Sequence, residues 1–126
     1  MILLHKLVLY GLLGSLALSL VLPGLVELLR VPPGTPGLAL ETADGKNQFR
    51  ALHGMMVGVG LLALWACVDL DNARLLVMAI GAVLAVSALG RGYSLWADGV
   101  PGAMSQLYLV VELVIAAVFL LWPPPV

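Results

Sequence analysis

Long charge-free runs constrain this chain more than any other feature. Twenty uncharged residues, 7–26, separate Lys6 from Glu27, and eighteen, 51–68, separate Arg50 from Asp69. Sixteen lie between Arg74 and Arg91, and the apolar run reaches Asp98 if Arg91 is absorbed. After Asp98 only Glu112 carries a charge. A helix crossing a ~30 Å hydrocarbon core needs roughly 20 mostly apolar residues at ~1.5 Å each. The charges therefore act as punctuation between four spans, near 3–29, 48–70, 72–97 and 104–122. Composition closes the soluble alternative. Of 126 residues, 62% are hydrophobic and 10% charged, and the mean hydropathy is +1.10. An average soluble domain is ~25% charged, and no core of this size could hide so much apolar surface. A soluble enzyme, a disordered regulator and, at net charge −1, a nucleic-acid binder are all excluded. One cysteine rules out an internal disulfide framework. The expected fold is an all-α integral membrane protein, an antiparallel four-transmembrane-helix bundle forming one domain over 1–126 without internal repeats.

Local signals refine the spans. Lys6, followed by an apolar run with small residues around Ser15–Ser19, has features of a signal peptide. The run is long enough to span and is expected to be retained. Pro23-Gly24 predicts a kink or break, because proline removes a backbone donor and crowds the preceding turn. Residues 25–30 would then lie at the interface. VPPGTPG at 31–37 cannot be helical, 38–47 is mixed and polar, and 43–46 reads as a turn. Residues 69–74 are short enough to enforce a hairpin. Asp98-Gly99-Val100-Pro101-Gly102 stops the third helix. Trp122, followed by three prolines, ends the fourth at an interface. Four spans put both termini on one side. Counting every basic residue favours termini outside. If Arg50 and Arg91 point into the bundle, the tally inverts and the termini are expected in the cytoplasm.

Depth identifies the informative polar residues. Glu112 falls near mid-membrane, where an isolated carboxylate costs ~2.5–3.5 kcal/mol on insertion scales. It should face the bundle and find a partner. Ser105, Tyr108, Glu112 and Ala116 recur at spacings of three and four, hence on one face. Ser87, Arg91, Ser94 and Asp98 do the same on helix 3, so Arg91 is expected to reach Glu112 and pair bidentately. Asn47, Arg50, Gly54 and Gly58 share a face of helix 2, with His53 nearby. Gly54-x-x-x-Gly58 predicts close packing on another helix, of this chain or of a partner or second copy. Gly11, Ser15 and Ser19 make a second small stripe, on helix 1. Glu27 sits at the same membrane side. His5, Lys6, Asp69, Asp71 and Arg74, at the other side, read as ordinary interfacial caps.

Each signal also has a plain structural reading. Arg91–Glu112 is either a ligand or proton site or an ion pair that fixes helix register. Arg50 is either a ligand group or an interfacial arginine reaching for headgroups. Asn47 serves as a helix cap, and His53 as a proton shuttle or a hydrogen-bonded packing residue. Cys67 reads as a small hydrophobe, the three tryptophans as anchors, and Met55 and Met56 as packing or pocket groups. His5 and Cys67 are too far from His53 for a metal site, so neither metal nor cofactor is expected. Asp69 and Asp71 lack an EF-hand loop, and no phosphate loop or serine elbow appears.

Asn47-x-x-Arg50, Gly54, Gly58, Arg91-x-x-Ser94, Gly99-x-Pro101 and Glu112 together resemble a family of short bacterial four-span membrane proteins, catalogued as a domain of unknown function (DUF4345-like). The resemblance covers most of the chain. It implies a four-helix bundle in a bacterial inner membrane, with polar residues gathered near the first and third connections, around 31–47 and 98–102. It carries no activity. The expected function is binding of a small amphipathic or lipid-like molecule at a polar cluster between helices 2, 3 and 4. Asn47, Arg50, His53, Arg91, Ser94, Tyr108 and Glu112 would form the site, with Met55, Met56 and Trp96 lining its apolar part. The alternatives are an intramembrane enzyme using Glu112 as acid or base, and an assembly subunit of a membrane complex. A carboxylate engaged by a guanidinium is a poor proton acceptor, which favours a non-enzymatic role.

Overall fold

The computed structural model describes residues 1–30 and 42–126. The proline-glycine stretch at 31–37 and most of the mixed segment before residue 42 lie outside the described residues. The chain is all-α. Among the described residues its helices are α1 (Leu3–Leu29), α2 (Ala43–Val68), α3 (Arg74–Ala97) and α4 (Ala103–Leu121), with a 3-10 turn, Leu70–Asn72, before α3. Among the described residues all four helices are long and apolar enough to cross a membrane. Much of their apolar surface faces outward: Val68, Leu75 and Leu121 are each more than four-fifths exposed. Such surface is tolerable only where lipid covers it.

Two boundaries differ from the sequence expectation. α2 begins at Ala43 rather than at 48, so residues 43–46 form its first turn and not a loop. Thr42 is the reason. Its Oγ1 accepts the Gly45 N–H at 2.9 Å, and its carbonyl accepts the Lys46 N–H at 3.0 Å. Asp44 adds a favourable charge at the positive end of the helix. Asn47 is therefore a second-turn residue and not the cap. In α1, Pro23 neither ends nor interrupts the helix, and residues 25–29 continue it. Gly24 lies directly on α2, so packing holds the chain helical past the proline.

The chain divides into two compact units, Leu13–Cys67 and Met1–Leu12 with Val68–Val126. In the first, the remainder of α1 runs antiparallel to α2. The close approach uses Gly24 and Gly60. A Cβ on Gly60 would fall 2.6 Å from Val21 Cγ2, and one on Gly24 would fall 2.9 Å from Val57 Cγ2. Gly54 and Gly58 do not make the tight contact within this hairpin: among the described residues Gly54 meets only Leu28 Cδ1 at 3.5 Å, and Gly58 meets nothing within 4 Å.

In the second unit α3 and α4 form an antiparallel hairpin. Gly81 admits Phe119, whose Cβ would be 2.8 Å from an added Cβ. Gly99, at φ +96°, supplies the left-handed step that turns the chain between them. The opposite end is closed by the chain termini. The His5 ring stacks on Trp122 at 4.1 Å, and its Nε2–H donates to the Trp122 carbonyl at 2.7 Å. Arg74 Nη1 donates to the Pro124 carbonyl at 2.7 Å. Lys6 Nζ donates to Asp71 Oδ2 at 2.9 Å. His5 is buried, so it packs this end together and does more than an ordinary interfacial cap.

Candidate functional site

Glu112 is the central residue of α4, about 13 Å from either end at ~1.5 Å per residue. Ser87 Oγ donates to its Oε2 at 3.0 Å, and Arg91 Nε donates to the same oxygen at 3.1 Å. The antiparallel α3–α4 pairing brings these residues together, because Ser87 and Arg91 sit four apart on one face of α3. The Glu112 side chain is 17% exposed and that of Arg91 is 38% exposed. The guanidinium also lies over the Tyr108 ring, 5.4 Å from its centroid, a cation–π arrangement. The pairing is not bidentate. Only Nε meets the carboxylate, and among the described residues the two Nη groups have no hydrogen-bond acceptor.

Those groups belong to a residue that lines a cavity of about 120 Å³ at the loop end of the hairpin. Ser94, Ser105 and Gln106 give it polar atoms, and Leu95, Pro101 and Leu109 give it apolar wall. Two neighbours are already committed. Ser94 Oγ donates to Asp98 Oδ2 at 2.8 Å, and Gln106 Nε2 donates to the Pro101 carbonyl at 2.9 Å. The cavity therefore presents one guanidinium, with two carboxylates, Glu112 and Asp98, bonded to its neighbourhood. Met55 and Trp96, expected as apolar lining, are exposed and not among the lining residues.

The Asn47–Arg50–His53 group belongs to the α1–α2 hairpin. Asn47 is exposed. Arg50 Nη1 donates to the Leu28 carbonyl. His53 is buried, with its ring tilted against Phe49 at 4.0 Å. Its Nδ1–H donates to the Phe49 carbonyl at 2.8 Å, and its Nε2 contacts Glu27 Oε2.

Two residues outside the expected set thus take part, Ser87 and Glu27. Ser87 was signalled by its spacing from Arg91. Glu27 follows from the register of the hairpin: Val21 meets Gly60 and Gly24 meets Val57, which sets residue 27 opposite 54, next to His53. Among the described residues no three His, Cys, Asp or Glu side chains group as a metal site.

Residues 8–123 match the protein family described as Domain of unknown function (DUF4345). No curated protein and no solved structure matches.

Proposed function

The chain belongs to the DUF4345 family, and from that premise we propose that this multi-pass membrane protein binds a small amphipathic, lipid-like molecule at the α3–α4 groove. The observation that carries the proposal is the half-used guanidinium of Arg91, spent on Glu112 through Nε alone beside a cavity of mixed lining. Size decides how a ligand would sit. Pockets that enclose a drug-sized molecule measure ~300–1,000 Å³. A cavity of about 120 Å³ takes a head group, and the tail of such a molecule would leave along the exposed helix surface into lipid. The polar end would accept hydrogen bonds from the Arg91 Nη groups, with Ser105 at its side. A carbonyl or other neutral acceptor suits the site better than a strong anion, since Glu112 already balances the charge of Arg91 and Asp98 adds a negative group.

The Asn47–Arg50–His53 group is left out of this site, because Arg50 and His53 are engaged within their own hairpin. An enzyme using Glu112 as a base gains little support from a carboxylate that accepts two hydrogen bonds on one oxygen. The inner membrane of a bacterium is the proposed location, with cytoplasmic termini. A periplasm-dependent reporter fused at Val126 should stay silent, and activity there would reverse the orientation.

Native mass spectrometry of protein released from its own membranes tests the binding. The wild type should carry a retained small molecule that Arg91→Leu loses and Arg50→Leu keeps. A bare wild-type protein, or retention by all three, would contradict it.

A further inference from the structure

The α1–α2 hairpin carries a second piece of chemistry, independent of the groove. Both ring nitrogens of His53 face an oxygen that can accept a hydrogen bond. The Phe49 carbonyl can only accept, so Nδ1 carries a proton. If the ring is neutral, Nε2 is then an acceptor, and it faces the acceptor oxygen Glu27 Oε2. Two lone pairs do not hold such a contact. One proton must lie between them, carried by Nε2 as imidazolium or by Glu27 as a carboxylic acid.

We infer that Glu27 and His53 form a one-proton binding site that latches α1 to α2, closed while the proton is held and opened when it leaves. The atoms balance simply. With the proton in place, an N–H···O or O–H···N bond spans the helices. Its departure to solvent leaves one ring proton for two acceptors, the Phe49 carbonyl and the Glu27 carboxylate, and while Nδ1 keeps that proton the facing lone pairs of Nε2 and Oε2 repel. The latch therefore holds at lower pH and releases as pH rises.

The surroundings suit such a device. The His53 side chain is 9% exposed while that of Glu27 is 43% exposed, so the proton enters from the carboxylate side. Arg50, from α2, donates to the carbonyl of Leu28, the residue after Glu27. The other charged groups of the described part of this hairpin are Arg30 at the end of α1 and Asp44 and Lys46 in the first turn of α2, all exposed.

Spin labels at positions 26 and 52, both exposed in the wild type, would report the latch in full-length protein with Cys67 replaced by Ser. From about pH 5 to about pH 9, a range spanning histidine titration, the wild-type distance should be short and narrow at the acid end and broaden toward the alkaline end. Glu27→Gln places an amide donor opposite Nε2 and needs no shared proton, so its distance should stay narrow throughout. A wild-type distance independent of pH, or a Glu27→Gln distance that broadens in step with it, would overturn the inference. If that variant does not fold, imidazole ¹⁵N spectra decide, since His5 and His53 are the two histidines. The Nε2 signal of His53 should change over the pH interval in which the wild-type distance broadens, and an unchanged signal would overturn the latch.

Discussion

Two antiparallel hairpins of this protein each pair one glutamate with a basic side chain of the facing helix, and they do so in opposite ways. In α3–α4 the carboxylate is the sheltered partner and the cation reaches outward: Glu112 is 17% exposed and Arg91 38%. In α1–α2 the base is sheltered and the carboxylate reaches outward: His53 is 9% exposed and Glu27 43%. The difference follows from what each partner can become. A guanidinium is always charged, so it can neutralise a sheltered carboxylate permanently and keep a polar end for something else. An imidazole can be neutral, so it can be buried at little cost and exchange a proton with a glutamate near the surface. One hairpin is built to keep a charge in place, and the other to let one change.

Removing the sheltered carboxylate should have the largest effect. Glu112→Ala strands Arg91 and should destabilise the extracted protein by about 3 kcal/mol, the lower end for breaking a buried pair because Arg91 still reaches outward. An unchanged thermal midpoint would show that the pair contributes nothing. The glycine contacts come next and should make the hairpins alike. Gly60→Ala and Gly81→Ala each force a Cβ against a neighbour within 3 Å and should cost about 1–3 kcal/mol in thermal or denaturant unfolding. A cost at one site only would mean that the other hairpin can spread without penalty. Exchanging Glu for Gln should separate the hairpins again. Glu112→Gln removes the counter-charge of Arg91 and should lower stability by about 1–2 kcal/mol, whereas Glu27→Gln should stay within about 0.5 kcal/mol below neutral pH. Equal losses in the same unfolding assay would erase the distinction. Gly58→Ala, at a position with nothing within 4 Å among the described residues, should change the unfolding midpoint least, by no more than about 0.5 kcal/mol.

The spans were legible because charge spacing measures membrane thickness directly. The register of α3 against α4 was also within reach, since a short turn ties residues 91 and 112 to similar depth. The misreadings share a cause: a local residue preference was overridden by a neighbour distant in sequence or by a capping side chain. Gly45 and Lys46 look like turn residues until the Thr42 hydroxyl caps them into α2. Pro23 looks like a break until Gly24 seats on Val57. Within the α1–α2 hairpin the tight contacts fall to Gly24 and Gly60, which belong to no short motif, and not to the Gly54–Gly58 spacing. His5 looks interfacial by position and is buried under Trp122, a residue at the other end of the chain. Glu27 and His53 are separated by a segment whose path no periodicity describes, so their meeting depended on hairpin register alone.

A density map of the protein in a lipid nanodisc, prepared from its own membrane, tests the central claim most directly. Elongated density should enter between α3 and α4 at Arg91 and Ser105, with its polar end on the Nη groups and its tail toward lipid. A groove closed by its own side chains, with Arg91 turned to give Glu112 a second hydrogen bond, would contradict the account and leave that pair as a structural tie.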